Sequence, residues 1–195
     1  MSEQELFIRA DEALNNVVSQ IKDEQWEMKL PDWFQKGRTQ TDPTLRDIIN
    51  YHAYDDAWVP DVLAGRTAEQ VGTKFDGDLL GVHPKESFAA IVKTAVESVR
   101  TLEDPTISVH LSYGDFPARE YLQHITYFRG LRVRDIAKVI GIDTAMPKDL
   151  VVGLWEMLVP HAQQWRAMGV FGPAIPVPAD SPLQDRLLGL TGRQP

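Results

Sequence analysis

Asp42-Pro43-Thr44-Leu45-Arg46-Asp47-Ile48-Ile49-Asn50-Tyr51-His52-Ala53-Tyr54-Asp55-Asp56 opens the segment with the strongest helix signals in the chain, and Trp58-Val59-Pro60-Asp61-Val62-Leu63-Ala64-Gly65 closes it. Thr44 is a hydroxyl-bearing N-cap with Asp47 three residues on, a pairing that satisfies backbone N–H groups at a helix start. Leu45, Ile48, Ile49, His52, Val59 and Leu63 then recur at helical spacing on one face. Gly65 is the C-terminal stop, because glycine tolerates the left-handed conformation that ends a helix. Pro60 lies inside this segment and has no N–H to donate, which predicts a kink or an early end near Trp58.

Before this segment, Leu6, Ala10, Ala13, Leu14, Val17, Val18 and Ile21 mark a first amphipathic helix. The stretch 30–42 is rich in Pro, Gly and polar residues and reads as a loop that tucks Trp33 and Phe34 onto the core. Glycines 72, 77 and 81 with Asp76 and Asp78 mark a long crossover loop from Gly72 to His83. Pro84 then starts a third helix carried by Phe88, Ile91, Val92, Ala95, Val96, Val99 and Leu102. Residues 106–112 alternate apolar and polar, the pattern of a short strand or extended arm whose partner is another chain or another extended segment. Gly114-Asp115-Phe116-Pro117 reads as the turn after it. A fourth helix spans Ala118 to Ile140 and stops at Gly141, and a fifth runs from Pro147 to Met168 with a second kink at Pro160. The proline-rich tail from Phe171 is extended and docked through Phe171, Ile175, Val177, Leu183, Leu187 and Leu188, and a last short helix follows Ser181-Pro182. The expected class is all-α, with residues 1–170 as one helical domain and 171–195 as its tail.

The 195 residues hold 20 Lys+Arg against 28 Asp+Glu, a net charge of −8, and 43% hydrophobic residues. This is a globular composition whose acidic balance opposes binding to nucleic acid or to an anionic membrane. No cysteine is present, so disulfides, thiolate metal sites and a cysteine nucleophile are excluded. The charged N-terminus and the absence of a long apolar run lead to a cytoplasmic expectation.

In a helical cluster, chemistry falls to side chains that point between helices. His52 and Asp56 are one turn apart on the apolar face of the second helix, a spacing that suits two ligands of one metal and equally a hydrogen-bonded core histidine beside an ion-paired aspartate. Arg132 lies one turn from both Phe128 and Ile136, so its guanidinium is on an apolar stripe and needs a carboxylate partner. Asp56 is the natural one, which makes the pair structural; otherwise Arg132 clamps an anionic ligand. His110 and His161 read as surface or capping residues. No hydrolase elbow, phosphate loop or dinucleotide fingerprint occurs.

The phrases Leu45 to Asn50, Trp58 to Gly65, Val109-His110-Leu111-Ser112-Tyr113-Gly114-Asp115-Phe116-Pro117-Ala118, Arg134-Asp135-Ile136-Ala137, Phe171-Gly172-Pro173 and Gln184 to Leu188 with Gly192-Arg193 span nearly the whole chain. In these the chain resembles the DinB-like superfamily, in the branch related to the N-terminal domain of mycothiol-dependent maleylpyruvate isomerase. The resemblance implies a four-helix up-down-down-up bundle with a long crossover, often dimeric, whose catalytic members bind a divalent metal such as zinc or nickel through three histidines and use a low-molecular-weight thiol. The family's first ligand position is Tyr51 here, with His52 one residue later, a rotation of about 100° around a helix. Its later positions fall on Phe128 and Arg132, neither of which binds a cation. His124 reaches the site if the alignment slips by a turn.

Two readings result. In one, the chain is a metal- and thiol-dependent transferase or isomerase with a degenerate site, in which His52, Asp56 and His124 hold the metal and Arg132, Arg129 and Tyr51 hold an anionic substrate. In the other, it keeps the fold as a metal-free small-ligand binder or dimeric interaction module. A homodimer is expected in both, from the unpaired arm and the apolar tail.

Overall fold

The computed structural model describes residues 1–35 and 42–195. The expected loop over 30–42 therefore lies partly outside the described residues. The described chain is mostly helical, as expected for the all-α class, and divides into two compact units, Ser2–Thr144 and Ala145–Pro195.

The larger unit contains helices α1 (Glu3–Val18), α2 (Leu45–Leu63), the single turn α3 (Ala68–Val71), α4 (Pro84–Arg100), the strands β1 (Ser108–Leu111) and β2 (Gly114–Pro117), and α5 (Ala118–Ile140). Local chemistry sets the boundaries. Ser2 and Glu5 form a capping box at α1, and Thr44 and Asp47 form one at α2, each satisfying backbone donors that a helix leaves free. Pro84 occupies the first turn of α4, and Gly141 closes α5 at φ +75°.

The helix does not end at Trp58: α2 runs through Pro60 to Leu63. The ring removes one backbone donor, yet the segment stays helical because Val59 and Val62 on either side are buried in the core. Asn50 on α2 pins the crossover, accepting from Leu79 N at 2.8 Å and donating to Gly77 O at 2.9 Å, while Arg46, one turn earlier, bonds Asp78 at 2.8 Å and Gly81 O at 2.7 Å. The four long helices pack in pairs: α1 lies on α4 and α5, and α2 lies on α4 and α5. Phe7, Val59, Val62, Ala95, Val99 and Leu122 meet in their shared core.

The extended arm finds its partner within the chain. β1 and β2 form an antiparallel hairpin with Val109 opposite Phe116 and His110 opposite Asp115. The turn is at Ser112-Tyr113, and the expected turn residues Gly114–Pro117 are the second strand, so this arm does not require a second chain. The hairpin packs on α2 and α5, with Val109 fully buried between them. Phe34 is buried as expected, whereas Trp33 stays exposed beneath the ammonium of Lys138, 4.8 Å from its ring.

The smaller unit contains α6 (Lys148–Leu158), α7 (Ala162–Ala167) and α8 (Leu183–Leu190). The helix expected over 147–168 is split at Val159-Pro160, as a proline in that position demands. The tail runs extended against α8, where Ile175 N donates to Gly189 O at 2.9 Å. The approach depends on glycine: a Cβ on Gly189 would lie 2.5 Å from Val177 Cγ2 and 2.6 Å from Ile175 O.

Candidate functional site

Three charged side chains meet in the core of the larger unit without exposure to solvent: Asp11 from α1, Asp56 from α2 and Arg129 from α5. Each is one turn from apolar neighbours on its own helix, so the packing that buries those neighbours carries the charges inward. Arg129 Nε donates to Asp56 Oδ1 at 2.6 Å, Nη2 donates to the same oxygen, and Nη1 donates to the Ile125 carbonyl at 3.0 Å. Asp11 Oδ1 lies 2.8 Å from Nε. Nε has one hydrogen and directs it at Asp56, so both Asp11 oxygens are without a hydrogen-bond donor among the described residues.

Protonation follows from this asymmetry. Burial, then the charge of Asp56, pushes the Asp11 carboxyl well above its ordinary range against the pull of Arg129, so Asp11 is the more readily protonated of the two. Burial also raises Asp56, but the Arg129 guanidinium opposes it directly. Burial alone would make Arg129 easier to deprotonate, yet the charges of Asp56, Asp11 and Asp55 hold its proton more firmly than usual.

The sequence suggested Asp56 with Arg132, and the structure corrects the partner to Arg129. The two arginines are three residues apart on α5, and Arg129 is the one directed between α1 and α2. Arg132 instead lies 3.3 Å from Asp135 and donates to the Gln35 carbonyl, with its guanidinium 4.6 Å from the centre of the Phe128 ring and 4.4 Å from that of Phe34.

His52 is fully buried one turn before Asp56, its ring 4.7 Å from that of Phe128. Neither ring nitrogen has a hydrogen-bond partner among the described residues. Burial, then the nearby Arg132 and Arg129 charges, lowers its pKa well below the usual histidine value, so the imidazole is neutral at pH 7. His124 belongs to a different cluster near the hairpin, where Nδ1 meets the Tyr113 hydroxyl at 3.3 Å and Nε2 lies 3.9 Å from Glu120.

Among the described residues, no group of three or more His, Cys, Asp or Glu side chains is arranged to hold a metal ion. His52, Asp56 and His124 are thus not assembled into a ligand set. The donor chemistry gives the reason: Asp56 is bonded to a guanidinium, and Arg129 and Arg132 both place positive charge within electrostatic reach of His52.

Tyr51 stands on the outer side of α2, 41% exposed, with its ring edge-on to Phe128 at 5.9 Å. Asp55, one turn further along, is partly buried and makes no hydrogen bond or ion pair among the described residues. Burial raises its pKa to about 6 despite Arg129. Neither Asp11 nor Asp55 stands out in the sequence as a site residue. For Asp11 the available signal was its spacing from Phe7 and Leu14; for Asp55 it was the one-turn step from Tyr51.

No described helix is long and apolar enough to cross a membrane. Comparison with known proteins finds no matching family model, no matching curated protein and no matching solved structure.

Proposed function

We propose that this chain is a metal-free small-ligand-binding protein built on a DinB-type four-helix bundle, with its ligand seated where α2, the hairpin and α5 meet. The observation that carries this reading is the bond from Arg129 to Asp56, which occupies the aspartate that a His52-centred metal site would need. A guanidinium held between two carboxylates is a rigid scaffold and a poor cation site. The pairwise packing of α1, α2, α4 and α5 and the pinned crossover from 72 to 83 support the bundle topology.

Above this scaffold, Tyr51 and Tyr113 are exposed aromatic rings on two different elements, and Asp55 on α2 is a carboxylate without a hydrogen-bond or ion-pair partner among the described residues. Aromatic walls with a few polar groups are the usual makings of a small-molecule site. Thermal denaturation of chelator-treated protein against a panel of small amines, carboxylates, sugars and thiols tests the reading. A ligand that binds the folded state raises the midpoint in proportion to its concentration over Kd. The expected result is a saturable rise without added metal; a rise that requires zinc or nickel contradicts it.

A further inference from the structure

We infer that Asp55, flanked by the exposed rings of Tyr51 on α2 and Tyr113 at the hairpin turn, is a binding site for an organic ammonium ion. The inference rests on the ligand-binding reading above and names the chemistry of the ligand.

The charges around Asp55 select a cation. Asp56 and Asp11 both lie against Arg129, and Asp61 is matched by Arg66 at 3.0 Å and Lys74 at 3.0 Å. Asp55 has no such partner among the described residues. Arg129 is already answered by Asp56, so the carboxylate of Asp55 is left as local excess negative charge. The rim adds to it through Glu120, and His124 beside Tyr113 is held toward its neutral form by burial.

The aromatic groups select an organic cation over a metal ion. Tyr51 is held edge-on by Phe128, and Tyr113 is held by Phe116 at 5.4 Å and His124 at 5.9 Å, so both exposed rings are positioned by neighbours before any ligand arrives. Ring faces attract ammonium groups, with most effect where water is excluded. A hard metal ion needs several oxygen ligands in its inner sphere, and one carboxylate does not supply them. Asp55 acts electrostatically on both phenols: it is the foremost cause that raises Tyr51 to about 12, and after burial it is the next cause that raises Tyr113 to about 12. The geometry brings these groups together: Tyr51 meets Phe128 and Tyr113 meets His124, which are one turn apart on α5, and Asp55 is one turn from Tyr51 on α2.

The test is titration of the isotope-labelled full-length protein at pH 8, at fixed ionic strength, with n-butylammonium chloride and tetramethylammonium chloride, against sodium butyrate and n-butanol, followed by amide NMR. The expected result is saturable binding of the two ammonium probes alone, with the largest shifts at residues 51–55 and 112–116. Asp55→Asn weakens it by about tenfold or more, since a hydrogen bond or contact to a charged group is lost. Tyr113→Ala, at an exposed turn that leaves the core intact, weakens it about threefold or more, and Glu120→Gln changes it less than about twofold. Unchanged ammonium affinity in folded Asp55→Asn and Tyr113→Ala proteins overturns the inference. Binding of butyrate in preference to the ammonium probes also overturns it while leaving the ligand-binding reading intact, and absence of any ammonium binding overturns it with the panel experiment still deciding that reading.

Discussion

Arg129 and Asp56 are bonded to each other, Nε to Oδ1 at 2.6 Å, with both side chains wholly shielded from solvent. Asp11 stands behind them as a second carboxyl, the more readily protonated of the two. The arrangement implies that the three residues do not contribute independently to stability.

Asp11→Asn replaces the more readily protonated carboxyl by a neutral amide of the same shape, and its effect on stability at pH 7 is expected within about 1 kcal/mol. Asp56→Asn removes the charge that faces Arg129, but Asp11 can ionise in its place and limit the loss to about 1–3 kcal/mol. The double variant leaves Arg129 buried without a counter-charge and is expected to lose about 3–5 kcal/mol. Urea denaturation of the four proteins measures this, and additive losses would show that Asp11 provides no reserve charge.

His52 is the second buried group with an unusual balance. Its two ring nitrogens, unpartnered among the described residues, cost free energy in an apolar setting, so His52→Leu, close in volume, is expected to be neutral or to stabilise by about 1 kcal/mol. A loss of stability above that size in thermal denaturation would mean that the imidazole makes a bond essential to the core.

The pH dependence has two opposing parts. Asp55 is raised to about 6 in the folded state, so the folded protein binds more protons than the unfolded chain between pH 4 and 6, and the contribution of this group to stability falls as pH rises through that window. His52 is lowered in the folded state, so the unfolded chain binds the extra proton and its contribution falls as pH drops below the ordinary histidine value. Comparing midpoints across pH 4–8, Asp55→Asn is expected to remove the first slope and His52→Leu the second. Parallel curves for the wild type and Asp55→Asn would contradict the assignment.

In the smaller unit, Gly189→Ala places a methyl group against Val177 and the Ile175 carbonyl. Overpacking against backbone is expected to cost about 1–3 kcal/mol. Hydrogen exchange of the α8 amides measures it, with faster exchange expected there; unchanged protection would mean that the tail moves aside without cost.

Helix boundaries were legible because their signals are local: Thr44 with Asp47, Pro84 at a first turn and Gly141 at a stop need no knowledge of neighbours. The choice between Arg129 and Arg132 was not, because both fall on apolar rows of the same helix and only its rotation against α1 and α2 decides which enters the Asp56 layer. The hairpin was half legible. Alternation at 106–112 marked the first strand, but Pro117 and Gly114 resemble turn residues until the register sets Pro117 at the strand end opposite Ser108. Asp11 was missed for a related reason: its place on the Phe7 and Leu14 row becomes informative only when a buried cation is found across from it.

On the proposed reading a guanidinium, and no metal, completes the Asp56 layer. Elemental mass spectrometry of untagged protein, before and after incubation with zinc and nickel and beside His52→Ala, tests it most directly. No stoichiometric metal is expected in either protein under either condition. One equivalent of zinc or nickel in the wild type, lost in His52→Ala, would contradict it.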